Sequence, residues 1–371
     1  MRVLHLIDHM GLGGEQRILL DLVETRAADM ELAVRALRRR DLPGIPERMA
    51  AAGVSYGALG LTRGRPLGML SLRALVRRAQ PDLVHLHLEY STLIGTLTVL
   101  SLLAPRPLLV ASVANDPHRQ ALMHRYGGRL LAPRIDLHIA NSGGIRDAMR
   151  QAYGGLTRRV EIVAPGIDLC RFDGSRVDPQ RVSQYRRGAG RLIGTVARLA
   201  PQKAIHVLLE ATPLLLREDP DTRVLIVGDG PLRGVLERQA GRLGVAHAVS
   251  FAGYQEDVAA AYHAMDVFVL PSRDEGYGLV FLEAMAAGVP IVGTRVIGSA
   301  DAVEDGVTGL LVPYADAPAL AHAVLRILGE PALAGRLRAA AAERVPRFTR
   351  EAATARVEAL YRDLAEQRRA G

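Results

Sequence analysis

The chain reads as an α/β protein with two parallel β-sheets, each covered by helices, and three observations predict it. Short apolar runs alternate with helical stretches along the whole sequence. Its 371 residues exceed the usual single-domain size, and 49% hydrophobic content can fill two cores. A turn-rich stretch from Pro165 to Gly190, with Gly166, Gly174, Pro179, Gly188 and Gly190, separates two sets of such runs.

The first set of expected strands is Val3 to Ile7, Leu83 to Leu86, Leu108 to Val113, Leu137 to Ala140 and Val160 to Val163. Helical patterns at Gln16 to Ala28 and Leu67 to Ala79 lie between them. The second set is Leu192 to Val196, Arg223 to Val227, Val249 to Phe251, Val267 to Leu270, Ile291 to Gly293 and Gly309 to Val312. Domains are therefore expected at residues 1–168 and 190–348, joined by a linker at 169–189. The stretch 349–371 is helical in composition, with Ala352, Val357, Leu360, Tyr361 and Leu364 forming an apolar stripe, and is expected to dock back on the first domain.

Net charge is +8 and lies almost wholly in the first half. Residues 1–170 carry 22 basic and 15 acidic side chains, against 25 and 24 in the remainder. Arg35, Arg38, Arg39 and Arg40, then Arg73, Arg77 and Arg78, make an anionic membrane surface a candidate partner. A solvated helical face explains the same arginines without any partner. Nucleic acid is not expected, because only 4% of residues are aromatic and no binding module appears. A single cysteine, Cys170, excludes an intrachain disulfide and points to a cytoplasmic setting. The longest apolar stretch, Leu93 to Ala104, falls short of the roughly 20 residues that span a bilayer.

The segment from Ser272 to Pro290 carries the most chemical information. Glu275 sits in a glycine-punctuated turn after an expected strand, and Glu283 lies about two turns into the helix that follows. Helix-start amides at Gly276, Tyr277, Gly278 and Leu279 lack intrahelical partners and attract anions. Carboxylates accept from hydroxyls, so the pair of features suits a phosphate beside a polyol, with a nucleotide sugar fitting best. Arg198 ends another expected strand, and Lys203 follows at the next helix start. Lys203 is the only lysine among 47 basic residues, so its position escapes a strong bias toward arginine. A forked guanidinium and a compact ammonium together would neutralise a diphosphate leaving group, although a surface pair is the plain alternative.

In open parallel sheets, ligands sit beyond the carboxyl ends of the strands, and two such domains would face one another across a cleft. Gly11-Leu12-Gly13-Gly14-Glu15 follows the first strand and should line it. Gln16 occupies the third glycine position of the dinucleotide fingerprint, which weakens an NAD reading and leaves a tight structural turn as the alternative. Asp219-Pro220-Asp221 precedes a strand and reads as a solvated turn rather than a metal site. His85 and His87 project to one side of their strand, with no third ligand at metal-like spacing after them. His87 can line the cleft, whereas His85 reads as a core histidine. His118, in Asn115-Asp-Pro-His118, sits on a loop.

Taken in order, these segments resemble the retaining nucleotide-sugar glycosyltransferases of family four, whose GT-B fold has two Rossmann-like parallel-sheet domains facing across a cleft. The resemblance runs over nearly the whole chain. Its specific part is the Arg198/Lys203 segment, Val227-Gly-Asp-Gly-Pro231, Phe251-Ala-Gly-Tyr254, the paired glutamates and Gly306-Val-Thr-Gly-Leu-Leu-Val312. In the first half, Gly13-Gly14-Glu15 and Ala164-Pro-Gly-Ile-Asp168 match more loosely. The resemblance implies that Arg198 and Lys203 bind the donor diphosphate, Glu275 the sugar hydroxyls and Glu283 the ribose. Gly13, Gly14 and the amides of Tyr277, Gly278 and Leu279 would complete the cradle, with the base near Tyr254. It further implies front-face displacement with retention, no cofactor and no metal, and a lipid-linked or polysaccharide acceptor. Departures stand beside it. Alanine, Ala114, occupies the place of a usual first-domain histidine, leaving His87, Asn115 and His118 as acceptor-side candidates and a donor-binding protein without turnover as the alternative. Ala164 stands for a common asparagine, Ala204 for a usual glycine, and Ile297-Gly298-Ser299-Ala300-Asp301 for a Gly-Gly-x-Pro-Glu pattern.

Overall fold

The computed structural model describes residues 1–61, 67–119 and 122–370. Two compact units emerge, one of residues 1–166 with 350–371 and the other of residues 167–349. Residues 169–189, expected as a linker, fall within the second unit, where the helix Pro179–Arg186 packs on the helix Ala259–Ala264.

The first unit holds seven strands: β1 (Arg2–Ile7), β2 (Glu31–Ala36), β3 (Ser55–Ala58), β4 (Leu83–His87), β5 (Leu108–Val113), β6 (Leu137–Ala140) and β7 (Val160–Ile162). They run in the order β3-β2-β1-β4-β5-β6-β7, and every pairing is parallel. The second unit holds β8 (Arg191–Val196), β9 (Thr222–Val227), β10 (Val249–Gly253), β11 (Val267–Leu270), β12 (Ile291–Thr294) and β13 (Leu310–Val312). Their order is β10-β9-β8-β11-β12-β13, again all parallel. Strand order reverses between β1 and β4 in one sheet and between β8 and β11 in the other, so each unit has one switch point where loops diverge and leave a crevice.

Alternation along β1 places Val3, His5 and Ile7 on one face and Leu4 and Leu6 on the other. Leu4 and Leu6 join Val84, Leu86, Leu109 and Ala111 in one core, whereas Val3 and Ile7 pack with Leu19, Leu83, Val110, Leu360 and Tyr361 in the opposite one. The C-terminal helix Arg350–Ala370 closes that second core. Its Val357, Leu360, Tyr361 and Leu364 recur at helical spacing and are all buried, and it packs on the helix Gly14–Thr25. Glu358 Oε1 accepts from the Ala27 amide at 2.8 Å, and the Thr25 and Thr354 hydroxyls meet at 2.6 Å.

Two strands have no counterpart among the sequence expectations. β2 alternates buried and less buried residues, but its polar positions carry Glu31 and Arg35, so six residues of mixed character hide it. β3 is a four-residue edge strand with a glycine and no fully buried side chain. Arg35 of the basic cluster is spent inside this region: its guanidinium donates to the Ser55 carbonyl and hydroxyl. Among the described residues, no helix is long and apolar enough to cross a membrane.

Candidate functional site

In the second unit, the loops after β8 and β11 flank the switch point, and they carry Arg198, Lys203 and Glu275. The β8 loop is fixed from behind. Ala197 N donates to the Val227 carbonyl at 3.0 Å and Leu199 N to the Asp229 carbonyl at 2.9 Å, which ties the loop to the Gly228-Asp229-Gly230 turn after β9 and leaves Arg198 exposed. Lys203 ends a short 3-10 turn, Pro201–Lys203, just before the helix Ile205–Glu218. Ala204 between them has φ +47°, a left-handed conformation that explains why glycine is usual there.

The two loops then meet. Lys203 Nζ lies 2.6 Å from Glu275 Oε2, and both side chains are nearly enclosed, at 16% and 10% exposure. Ser272 Oγ donates to the same oxygen at 3.2 Å, and Arg273 N donates to the Gln202 carbonyl at 2.8 Å. Among the described residues, no protein donor reaches Glu275 Oε1, so one carboxylate oxygen is held and the other stays available to a ligand hydroxyl.

Gly278 caps the helix Leu279–Ala286 with φ +84°, and a Cβ there would stand 2.6 Å from the Phe281 ring, so only glycine fits the turn. Among the described residues, no protein acceptor takes the amides of Gly276, Tyr277, Gly278 or Leu279. These orphan donors and an ammonium border one carboxylate, which is an arrangement for a ligand with an anionic part and a hydroxylated part. The Tyr277 side chain turns away into the unit: it is 5% exposed, lies 6.0 Å from Phe348 by ring centroid, and burial pushes its hydroxyl up to about 12. Only its backbone can serve a ligand.

Glu283 lies on the same helix, where Tyr262 donates to its Oε2 at 2.8 Å. Burial, then the adjacent Glu283 carboxylate, raises the Tyr262 hydroxyl well above its ordinary value, so the phenol stays a donor and orients the carboxylate. Tyr254 follows β10 and is half exposed. Because all these strands are parallel, Arg198, Tyr254 and Glu275 leave the sheet at one edge. Asp219 and Asp221 lie at the opposite edge, before β9, where the Asp221 amide donates to Asp219 Oδ1 at 3.1 Å.

In the first unit, Gly13 and Gly14 are exposed at the start of the helix Gly14–Thr25, after β1. His87, expected at the cleft, is 1% exposed and closed into a network. Its Nδ1 lies 2.7 Å from Glu15 Oε1 and its Nε2 lies 3.0 Å from His5 Nδ1. His85 uses both ring nitrogens, on the Tyr361 hydroxyl at 2.5 Å and on Ser112 Oγ at 2.9 Å. The strand register pairs His5 with His85 and Ile7 with His87, which brings a third imidazole beside the two read from sequence. Among the described residues these three histidines are the one group close enough to share a metal ion, with ligating atoms within 4.8 Å of one another. Five of their six nitrogens are already engaged, and His5 Nε2 alone lacks a partner, so the cluster is a closed polar brace between sheet and helices. Burial, then proximity to His87, pushes His5 and His85 well below the usual imidazole value.

Asn115 and His118 follow β5 and are exposed; Asn115 Nδ2 donates to Glu89 Oε1 at 3.1 Å, and the His118 amide closes a turn on Asp116. Ala114 and Asn115 border a pocket whose wall includes Glu89, His124, His138 and Tyr153. His138 is 2% exposed, its Nδ1 has no partner among the described residues, and burial pushes it down to about 4. The unfolded chain therefore takes a proton near pH 6.5 that the folded one refuses, and stability falls as pH drops from 6.5 toward 4. In urea titrations, His138→Leu should lose about 2 kcal/mol less than the parent chain between pH 7 and pH 5. Equal losses in the two proteins would remove His138 from the acid response.

Comparison with known proteins adds two family matches, three relatives and one solved structure. The family described as Glycosyltransferase Family 4 matches residues 12–171, and that described as Glycosyl transferases group 1 matches residues 190–330. The chain is 31% identical over 319 residues to a D-inositol 3-phosphate glycosyltransferase of Saccharomonospora viridis, covering 80% of this chain and 73% of that protein. It is 38% identical over 199 residues to a GDP-mannose-dependent alpha-(1-6)-phosphatidylinositol monomannoside mannosyltransferase of Mycolicibacterium smegmatis, covering 50% of this chain and 51% of that protein. A D-inositol 3-phosphate glycosyltransferase of Corynebacterium urealyticum is 32% identical, and the alignment spans only 65% of its length. Among solved structures, Anabaena Alr3699/HepE in complex with UDP and glucose superposes with a TM-score of 0.85 at 23% identity, over 98% of this chain and 100% of that one.

Proposed function

The chain belongs to glycosyltransferase family 4 and has the GT-B fold, and from that premise and the site geometry we propose that it transfers a sugar from a nucleoside-diphosphate sugar to an acceptor hydroxyl. The observation that carries this reading is the Lys203–Glu275 pair beside four unclaimed amides at a switch point. In the proposed reaction, the acceptor oxygen bonds the anomeric carbon on the face from which the diphosphate leaves. The bond from that carbon to the phosphate oxygen breaks, and the acceptor proton passes to the departing phosphate. Configuration is thereby retained.

Arg198, Lys203 and the amides of Tyr277, Gly278 and Leu279 stabilise charge that grows on the leaving diphosphate, the largest single contribution such a site can make. Glu275 holds the sugar through its available oxygen, Glu283 the ribose, and the base lies near Tyr254. On this reading the protein's cations do the neutralising, and transfer should persist in excess chelator. The relatives' names carry GDP-mannose, inositol phosphate and phosphatidylinositol mannoside, and HepE was solved with UDP and glucose. These support a nucleoside-diphosphate donor; a lipid-linked or polysaccharide acceptor, met at the cytoplasmic face, completes the proposal.

Thermal shift tests the donor directly. UDP or GDP at a hundredfold excess over Kd should add about 2.7 kcal/mol of stability, and NAD should add none. A shift with NAD alone would replace this reading by a dinucleotide-linked one. Ala114 supports a second reading, donor binding without turnover. A nucleotide shift together with no release of sugar from donor, with or without acceptor, would favour it.

A further inference from the structure

The helix Leu122–Leu131 turns the wrong way for a globular protein. A surface helix normally points its large apolar residues at the core. Here Gly127 and Gly128 face inward, where added Cβ atoms would stand 3.0 Å from Leu93 and 2.8 Å from the Tyr153 hydroxyl. Leu122, Met123, Tyr126 and Leu130 share the opposite face and are 59 to 75% exposed. Leu103, in the turn after the neighbouring helix Glu89–Leu100, is 86% exposed. Residues 117–134 also carry four arginines and no carboxylate. At 100° per residue, Arg125 and Arg129 fall along one flank of the apolar face.

We propose that this face seats on an anionic lipid surface, with Leu122, Tyr126 and Leu130 entering the headgroup boundary and Arg125 and Arg129 meeting lipid phosphates. An apolar stripe beside a cationic one is the pattern of a helix lying in a membrane interface. Charge decides against a second copy of the chain as occupant. A two-fold contact would set the same arginine-flanked helix against itself, with no carboxylate within residues 117–134 to receive it. The assignment is independent of the transfer reaction. It also moves the membrane contact away from the arginine clusters first suggested by composition: Arg35 is engaged at β3, and Arg38 lies 4.5 Å over the Tyr90 ring.

Co-sedimentation with phosphatidylcholine vesicles, with and without phosphatidylglycerol, tests the assignment. The full chain should pellet with the anionic vesicles, lose that binding in high salt, and stay in the supernatant when the vesicles are neutral. Leu122→Ser/Tyr126→Ser/Leu130→Ser should lower partitioning by about a hundredfold. Arg125→Gln/Arg129→Gln should lower it by roughly 25-fold, at about fivefold for each cation. Arg39→Gln/Arg40→Gln should leave it unchanged. Melting temperatures equal to the parent's keep a folding defect apart, and Leu130→Ser alone serves if the triple variant unfolds. The proposal is overturned if the parent chain ignores anionic vesicles, if it binds neutral ones equally, or if the serine variants bind undiminished. It is overturned too if size exclusion shows a parent dimer that those variants convert to monomer.

Discussion

Lys203→Met should lower kcat/KM for transfer by roughly 10² to 10³ and cost stability as well, and the two losses should respond differently to a second substitution. In the folded chain the ammonium lies 2.6 Å from Glu275 Oε2, in a site where the carboxylate is only 10% exposed. Removing the cation leaves a nearly enclosed carboxylate with Ser272 Oγ as the remaining donor to that oxygen among the described residues, a change expected to cost roughly 1 to 3 kcal/mol. In Lys203→Met/Glu275→Gln the unpaired charge is gone, so urea unfolding should recover most of that cost. Transfer should not recover, because each side chain has its own task once donor is bound: the ammonium on the diphosphate, the carboxylate on sugar hydroxyls. A double variant that regains activity along with stability would show that the pair is a structural clamp and nothing more. Donor binding separates the roles further, since loss of the ammonium should abolish the thermal shift with UDP or GDP while Glu275→Gln should keep much of it.

That pair also marks where sequence reasoning stops. Arg198, Lys203 and Glu275 could each be placed at a strand end from local pattern alone, because apolar runs and glycine turns are local properties. The meeting of Lys203 and Glu275 depends on β8 and β11 being neighbours, a fact of sheet order that links residues 72 positions apart and leaves no spacing to read. The histidine network has the same origin. Alternation put His85 and His87 on one side of a strand, yet the imidazole that completes the group, His5, comes from the adjacent strand 82 positions away from His87. Burial then fixed what alternation could not: His87 is enclosed with Glu15 and does not stand at the surface as an acceptor-side group. β2 and β3 were illegible for a different reason. Glu31 and Arg35 break the apolar run of β2 although it lies between β1 and β3, and Gly57 weakens β3 at the sheet edge, where small residues are tolerated. The face of the helix Leu122–Leu131 reads as ordinary amphipathicity in sequence, and only coordinates show that its apolar side points outward.

Gly298→Ala, the addition of one methyl group, should lower kcat/KM by about a hundredfold without touching any charged group. Gly298 is the second residue of the helix Ile297–Ala302, and its amide donates to the Glu275 carbonyl at 3.2 Å. A Cβ built there would stand 2.4 Å from the Gly276 carbonyl carbon and 2.5 Å from the Glu275 oxygen, both backbone atoms that cannot swing aside as a side-chain tip would. Either the helix or the Glu275 turn must shift, and displacement of a positioning carboxylate by about 1 Å is enough for a loss of that size. The same geometry accounts for the sequence departure at this point: of the two glycines usual in the family pattern, the first is replaced by a partly exposed isoleucine, Ile297, while the one in backbone contact stays glycine. Gly335→Ala is the matched control, since a Cβ there meets nothing within 4 Å and the helix interior favours alanine by roughly 0.5 to 1 kcal/mol. If Gly298→Ala transfers sugar as fast as Gly335→Ala at equal melting temperature, the turn tolerates the shift, and the position of Glu275 is less critical to transfer than the paired geometry requires.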